Sequence, residues 1–142
     1  MRNSMMKEYG LIHSFVKSLK TATYDLNDLT IEDYAVLSGF ALRTIVHKDL
    51  CPSAMNVFDW YLLQNAAENI GFQVEVISRL WHEEQLEVER REKACHVIEN
   101  SLNKDRPVIV WDLSIPEWEV ITESNETHYK RYFCHWTRCS IE

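Results

Sequence analysis

Hydrophobic positions recur with a helical period at the start of the chain. Leu11, Ile12, Phe15, Val16 and Leu19 follow the i, i+3, i+4, i+7 spacing of an amphipathic helix. A polar stretch, Thr21 to Asp28, interrupts the pattern. Thr30-Ile-Glu-Asp33 then has the form of a capping box, in which the threonine oxygen accepts from the amide at Asp33. The helix it opens is expected to bury Tyr34, Leu37 and Ala41 along one face, with Gly39 marking close packing or an early end. Lys48 to Ser53 reads as a loop, because the residue before Pro52 is biased away from helix. From Asn56 a third helix is predicted through Val57, Phe58, Tyr61, Leu62, Ala66 and Ile70, closed by Gly71 in a left-handed conformation.

The period then changes. Phe72, Val74 and Val76 alternate with Gln73 and Glu75, which predicts a strand with one wet face over Phe72 to Ile77. Glu83 to Asn103 reads as a charged helix with a narrow stripe of Ala94, Ile98 and Leu102, and Cys95 beside it. Glu83, Glu84 and Glu87 at its start and Lys104 and Arg106 at its end suit the helix dipole. Its acidity reads as a solvated face before it reads as a binding face. Pro107 opens the next strand, where its missing amide hydrogen costs little. Val108 to Trp111 is continuously apolar, the signature of a central strand covered on both faces. Pro116 closes a connection, Trp118, Val120 and Thr122 begin another strand, and Tyr129 to Trp136 is predicted as the last. Helices followed by a strand, a helix and several strands predict an α+β fold, with N-terminal helices packed on a small, mostly antiparallel sheet.

Composition narrows the function classes. The 142 residues, 46% of them hydrophobic, suit one domain over 1–142 that buries a sizeable core. Only three Gly and three Pro exclude collagen-like and low-complexity material. The net charge of −7 argues against a general nucleic-acid binder, which needs a basic face. No apolar run reaches membrane-span length, and Met1 to Lys7 leads into no signal-peptide core, so a cytoplasmic, non-membrane protein is expected. Cys51, Cys95, Cys134 and Cys139 are irregularly spaced, as in a reducing compartment. His128, Cys134, His135 and Cys139 crowd the C-terminus, but no second cluster completes a zinc pattern. A strand with incidental thiols is therefore preferred, and no metal or cofactor is expected.

Two segments carry a resemblance. Gly10-Leu-Ile-His-Ser14 through Ala22 is similar to the first helix of papain-like cysteine-peptidase folds, where a His-Cys pair opens the helix. In particular it resembles the N-terminal domain of the butirosin-biosynthesis H protein and related uncharacterised bacterial proteins. Ser38-Gly-Phe-Ala-Leu-Arg43 with Cys51-Pro-Ser-Ala54 fits the same group. Arg106 to Asp112 followed by Trp118 to Thr122 resembles the two strands that bear the family's histidine. The resemblance implies a thiol at a helix N-terminus paired with an imidazole, used for peptide cleavage or for acyl transfer from a carrier protein.

The chain departs from that pattern at the positions that matter. The family's cysteine falls on Ser14 and its histidine on Glu117. A lone serine is a poor nucleophile without a base, and a carboxylate does an imidazole's work near neutral pH only when burial raises its pKa. His13 precedes Ser14, yet neighbours on a helix point about a hundred degrees apart. Where the family continues with a Gly-Tyr-Asp-Asp type turn, this chain has Glu123-Ser-Asn-Glu126, and its relatives are longer. Cys51, with His47 upstream in sequence, is a second candidate nucleophile. Asp59 and Asp112, each beside a Trp, read as places where buried elements meet water. The expectation is a catalytically degenerate domain, truncated relative to its relatives, that binds a peptide or acyl-carrier partner. The alternatives are an active acyl-transfer or hydrolytic enzyme using Ser14 or Cys51, and an inactive fragment of a longer enzyme.

Overall fold

The computed structural model describes residues 13–43, 61–78, 82–113, 116–125 and 128–132. The first helix, α1, spans Ser14–Ala22. Phe15, Val16 and Leu19 bury the face that their spacing predicts, and Ser18 is buried with them. Thr23 closes the helix: its amide and its hydroxyl both donate to the Leu19 carbonyl, at 3.1 and 2.7 Å. The last-turn carbonyl is thereby satisfied without a glycine.

The capping box predicted at Thr30 forms at the start of α2, Ile31–Leu37. The Asp33 amide donates to Thr30 Oγ1 at 3.2 Å, and the Thr30 amide donates to the Asp33 carboxylate at 2.8 Å. The buried face differs from the expected one. Ile31 and Tyr34 are buried, whereas Leu37 is 45% exposed and Ala41 is exposed. Gly39, at φ +79°, ends the helical path early, so the three-residue 3-10 turn Phe40–Leu42 brings Phe40 inward in their place. Tyr34 carries its hydroxyl into the core, where Thr23 Oγ1 stands 2.5 Å away and the Asn27 amide donates at 3.0 Å.

The third helix, α3, covers Tyr61–Asn69 and buries Leu63, Ala66 and Ala67. The proposed start at Asn56, with Val57 and Phe58, lies outside the described residues, as does the Lys48–Ser53 loop. Gly71 adopts φ +99°, and the Phe72 amide reaches back to the Ala67 carbonyl at 3.0 Å. That is the Schellman closure the glycine predicts. The predicted strand over Phe72 to Ile77 is corrected: residues 72–78 form no ladder among the described residues. Phe72 and Val74 pack against the core while Gln73 and Glu75 face out, so the alternation records an extended segment lying along the core.

A 3-10 turn, Glu84–Leu86, leads into α4, Glu87–Leu102. The helix is half-buried on the Ala94 and Ile98 stripe and has no fully buried residue among those described. The strands β1 (Val108–Trp111), β2 (Trp118–Asn125) and β3 (His128–Tyr132) form an antiparallel sheet in the order β1-β2-β3. The expectation that Val108 to Trp111 is the central strand is therefore corrected. The central strand is β2, where Glu119, Val120 and Ile121 are buried, while β1 is only half-buried. The β1–β2 register sets Val108 opposite Ile121 and Trp111 opposite Trp118. Between Ile121 and Glu123 the β2–β3 register shifts, leaving Thr122 as a bulged residue. The last strand begins at His128, and the expected extension to Trp136 lies outside the described residues.

The two faces of the sheet are both covered. Ile109 and Trp118 pack against the core built on α1, α2 and α3. The strand alternation puts Glu119 and Ile121 on the opposite face, and α4 packs against β1 and β2. The fold class is α+β, helices on a small antiparallel sheet.

Candidate functional site

The first turn of α1 lies against the start of β2, which brings Ser14 to Trp118, the residue after Glu117. The contact has a simple backbone logic. The Asp112 amide donates to the Glu117 carbonyl at 3.0 Å, so residues 112 and 117 form a hydrogen-bonded pair. The next pair, Trp111 and Trp118, is then a non-hydrogen-bonded one, and the Trp118 amide and carbonyl point away from β1. On that side the described pairing with β3 begins at Val120 opposite Tyr132. Two serines one helical turn apart bond to Trp118 there. Its amide donates to Ser14 Oγ at 3.4 Å, and Ser18 Oγ donates to its carbonyl at 3.0 Å.

An aromatic run fixes the same corner. Phe15 meets Trp118 edge to face at 5.2 Å between centroids, and Trp118 lies 5.4 Å from Trp111. On the other side Phe15 is 5.7 Å from Phe40, which is 4.7 Å from the His13 ring. Edge-to-face and tilted pairs of this kind add to the burial of the rings themselves. Arg43 lays its guanidinium 4.8 Å over the Phe40 ring.

His13 is the N-cap of α1. Its Nδ1 accepts from the Phe15 amide at 3.2 Å. An imidazole that accepts at Nδ1 in its neutral form carries its proton on Nε2. Neither ring nitrogen then offers a free lone pair to take the Ser14 proton, which removes a direct His13–Ser14 relay on chemical grounds. Glu117 is exposed.

The other sequence candidates divide plainly. Cys51, His47 and Asp59 lie outside the described residues, as do Cys134, His135 and Cys139. Asp112 is exposed and adopts φ +58° as the chain leaves β1, a turn position that aspartate tolerates. Cys95 is a free thiol on α4. Among the described residues no three His, Cys, Asp or Glu side chains gather as metal ligands, and no helix is long and apolar enough to cross a membrane.

Two residues of this corner escaped the sequence reading. Ser18 carries no signal of its own in the sequence, and only the strand packed on it reveals its hydrogen bond. Glu119 is the one fully buried carboxylate among the described residues. Its alternation with Trp118 and Val120 reads as a wet face, and α4 covers that face. Comparison with known proteins finds no matching family model, no matching curated protein and no matching solved structure.

Proposed function

We propose that the chain is a papain-like domain whose dyad positions are held by Ser14 and Glu117, and which binds a peptide or acyl-carrier partner without turning it over. One observation supports the loss of catalysis. Ser14 Oγ accepts the Trp118 amide, while the adjacent imidazole is committed at Nδ1 to the Phe15 amide. The serine works as a tether between helix and strand, and the imidazole next to it in sequence works as a helix cap. A helix bearing the nucleophile position, docked on the strand that begins just after the base position, suits the family resemblance. The resemblance supplies the partner class, a peptide or a carrier-bound acyl group.

The test has two arms. The full chain is treated with a fluorophosphonate probe and with iodoacetamide, and labelled sites are mapped by mass spectrometry. No activity-dependent labelling of Ser14 or Cys51 is expected; stoichiometric labelling of either, abolished by denaturation, refutes the degenerate reading. Binding is then measured by calorimetry with an acylated carrier domain and with a short-peptide library. Saturable binding without product supports the partner role, and the absence of binding to both refutes it.

A further inference from the structure

We propose that His13 makes the first turn of α1 a pH-sensitive latch, closed on β2 while the imidazole is neutral and released when it is protonated. N-caps are usually oxygen acceptors that keep their lone pairs across the neutral range. Here the acceptor is the imidazole Nδ1, taking the Phe15 amide at 3.2 Å. An imidazole in water gains its second proton near pH ~6.5. That proton fills the Nδ1 lone pair, so a donor then faces the Phe15 donor. The new cation also sits at the positive end of the helix dipole.

The charges on the surrounding elements set the balance. Lys17 and Lys20 belong to α1 itself. Arg43 shares the Phe40 ring with His13, at 4.8 and 4.7 Å, and opposes a second cation there. The described elements packed on α1 contribute Glu32 and Asp33 from α2, Asp112 beside β1, and Glu117, Glu119 and Glu123 at or in β2. Of these, Glu117 is exposed and next to Trp118 in sequence.

The consequence is transmitted through one residue. The Lys17 amide donates to the His13 carbonyl at 3.2 Å, which is the first hydrogen bond of the helix. The next residue, Ser14, holds the Trp118 amide. Fraying of this turn withdraws Ser14 from β2 while Ser18, one turn further on, keeps the Trp118 carbonyl. Protonation therefore loosens the helix–strand corner at one end without unfolding it.

The experiment compares the full-length chain with a His13→Asn variant, whose amide oxygen caps but does not titrate. Protection of the Phe15 amide is followed by NMR hydrogen exchange from about pH 7.5 to about pH 5.5. Protection in the parent chain is expected to fall about fivefold more than in His13→Asn, the equivalent of one lost cap. Parallel profiles in the two proteins overturn the latch. A second readout needs no variant: the imidazole 15N shifts at high pH must report an unprotonated Nδ1, and a proton found on Nδ1 overturns the proposal.

Discussion

The Ser18 hydroxyl donates to the Trp118 carbonyl at 3.0 Å across a hundred positions of chain. Ser18 is only 2% exposed, so its hydroxyl has no ready access to replacement water. Ser18→Ala is expected to remove this helix-to-strand bond and to cost about 1 kcal/mol. Ser14→Ala should cost less, because its bond to the Trp118 amide is long, 3.4 Å, and the residue is half-buried. Urea denaturation of the two variants checks the order, and equal midpoints would show that the Ser18 bond adds nothing to stability.

Tyr34 is fully buried, with its hydroxyl between Thr23 and Asn27. Tyr34→Phe keeps the ring and removes the hydroxyl that joins them. The expected loss is about 1–3 kcal/mol, since Thr23 and Asn27 are left facing each other without their common partner. A double-mutant cycle with Thr23→Val should give a clear coupling energy, because both changes act on one network. Strict additivity of the two changes would count against that network.

The capping box gives a pH dependence with a definite sign. The Thr30 hydroxyl, then the Thr30 amide, hold the Asp33 carboxyl below its ordinary value of 3.8, and Lys20 adds a smaller pull in the same direction. A carboxyl depressed in the folded state stabilises the fold fully above its unfolded pKa. That contribution declines as the pH falls below 3.8 toward the folded value. The stability gap between the parent chain and Asp33→Asn should therefore narrow on acidification, as read by thermal melts at stepped pH. A gap that stays constant down to the acid transition would exclude the carboxylate as its source.

What the sequence made legible was local. The period of Phe15, Val16 and Leu19, the Thr30–Asp33 box and the Gly71 stop each depend on a few neighbouring residues, and each is realised. What failed depended on packing between distant elements. The alternation at Phe72 to Ile77 cannot distinguish a paired strand from an extended segment laid on a core. The continuous apolar run in β1 marked it as central, yet β2, with a glutamate in it, is the covered strand. Glu119 misleads because sequence alone does not show that α4 lies over its face. At the candidate site, the resemblance drew attention to the start of α1 and to the residues around Glu117, and Ser14 meets Trp118, the residue after Glu117. The commitment of Ser14 and His13 to backbone amides did not follow from it, because such bonds depend on the docked geometry.

Two helix ends are built alike. After α3, Gly71 takes φ +99°, and after α4, Asp105 takes φ +54°; in the second motif the Arg106 amide reaches the Ser101 carbonyl at 3.0 Å. A side chain in the left-handed region costs roughly 1–2 kcal/mol unless it is glycine. A Cβ added at Gly71 meets nothing within 4 Å, so Gly71→Ala should lose that backbone cost alone. Asp105→Gly should move the other way, by roughly 0.5–1 kcal/mol, because glycine's greater freedom in the unfolded chain offsets part of the relief. Asp105 is exposed, so the substitution removes little packing. Opposite shifts in the urea midpoint would establish that backbone conformation governs both sites; a destabilised Asp105→Gly would mean that the aspartate side chain holds the α4 terminus through interactions of its own.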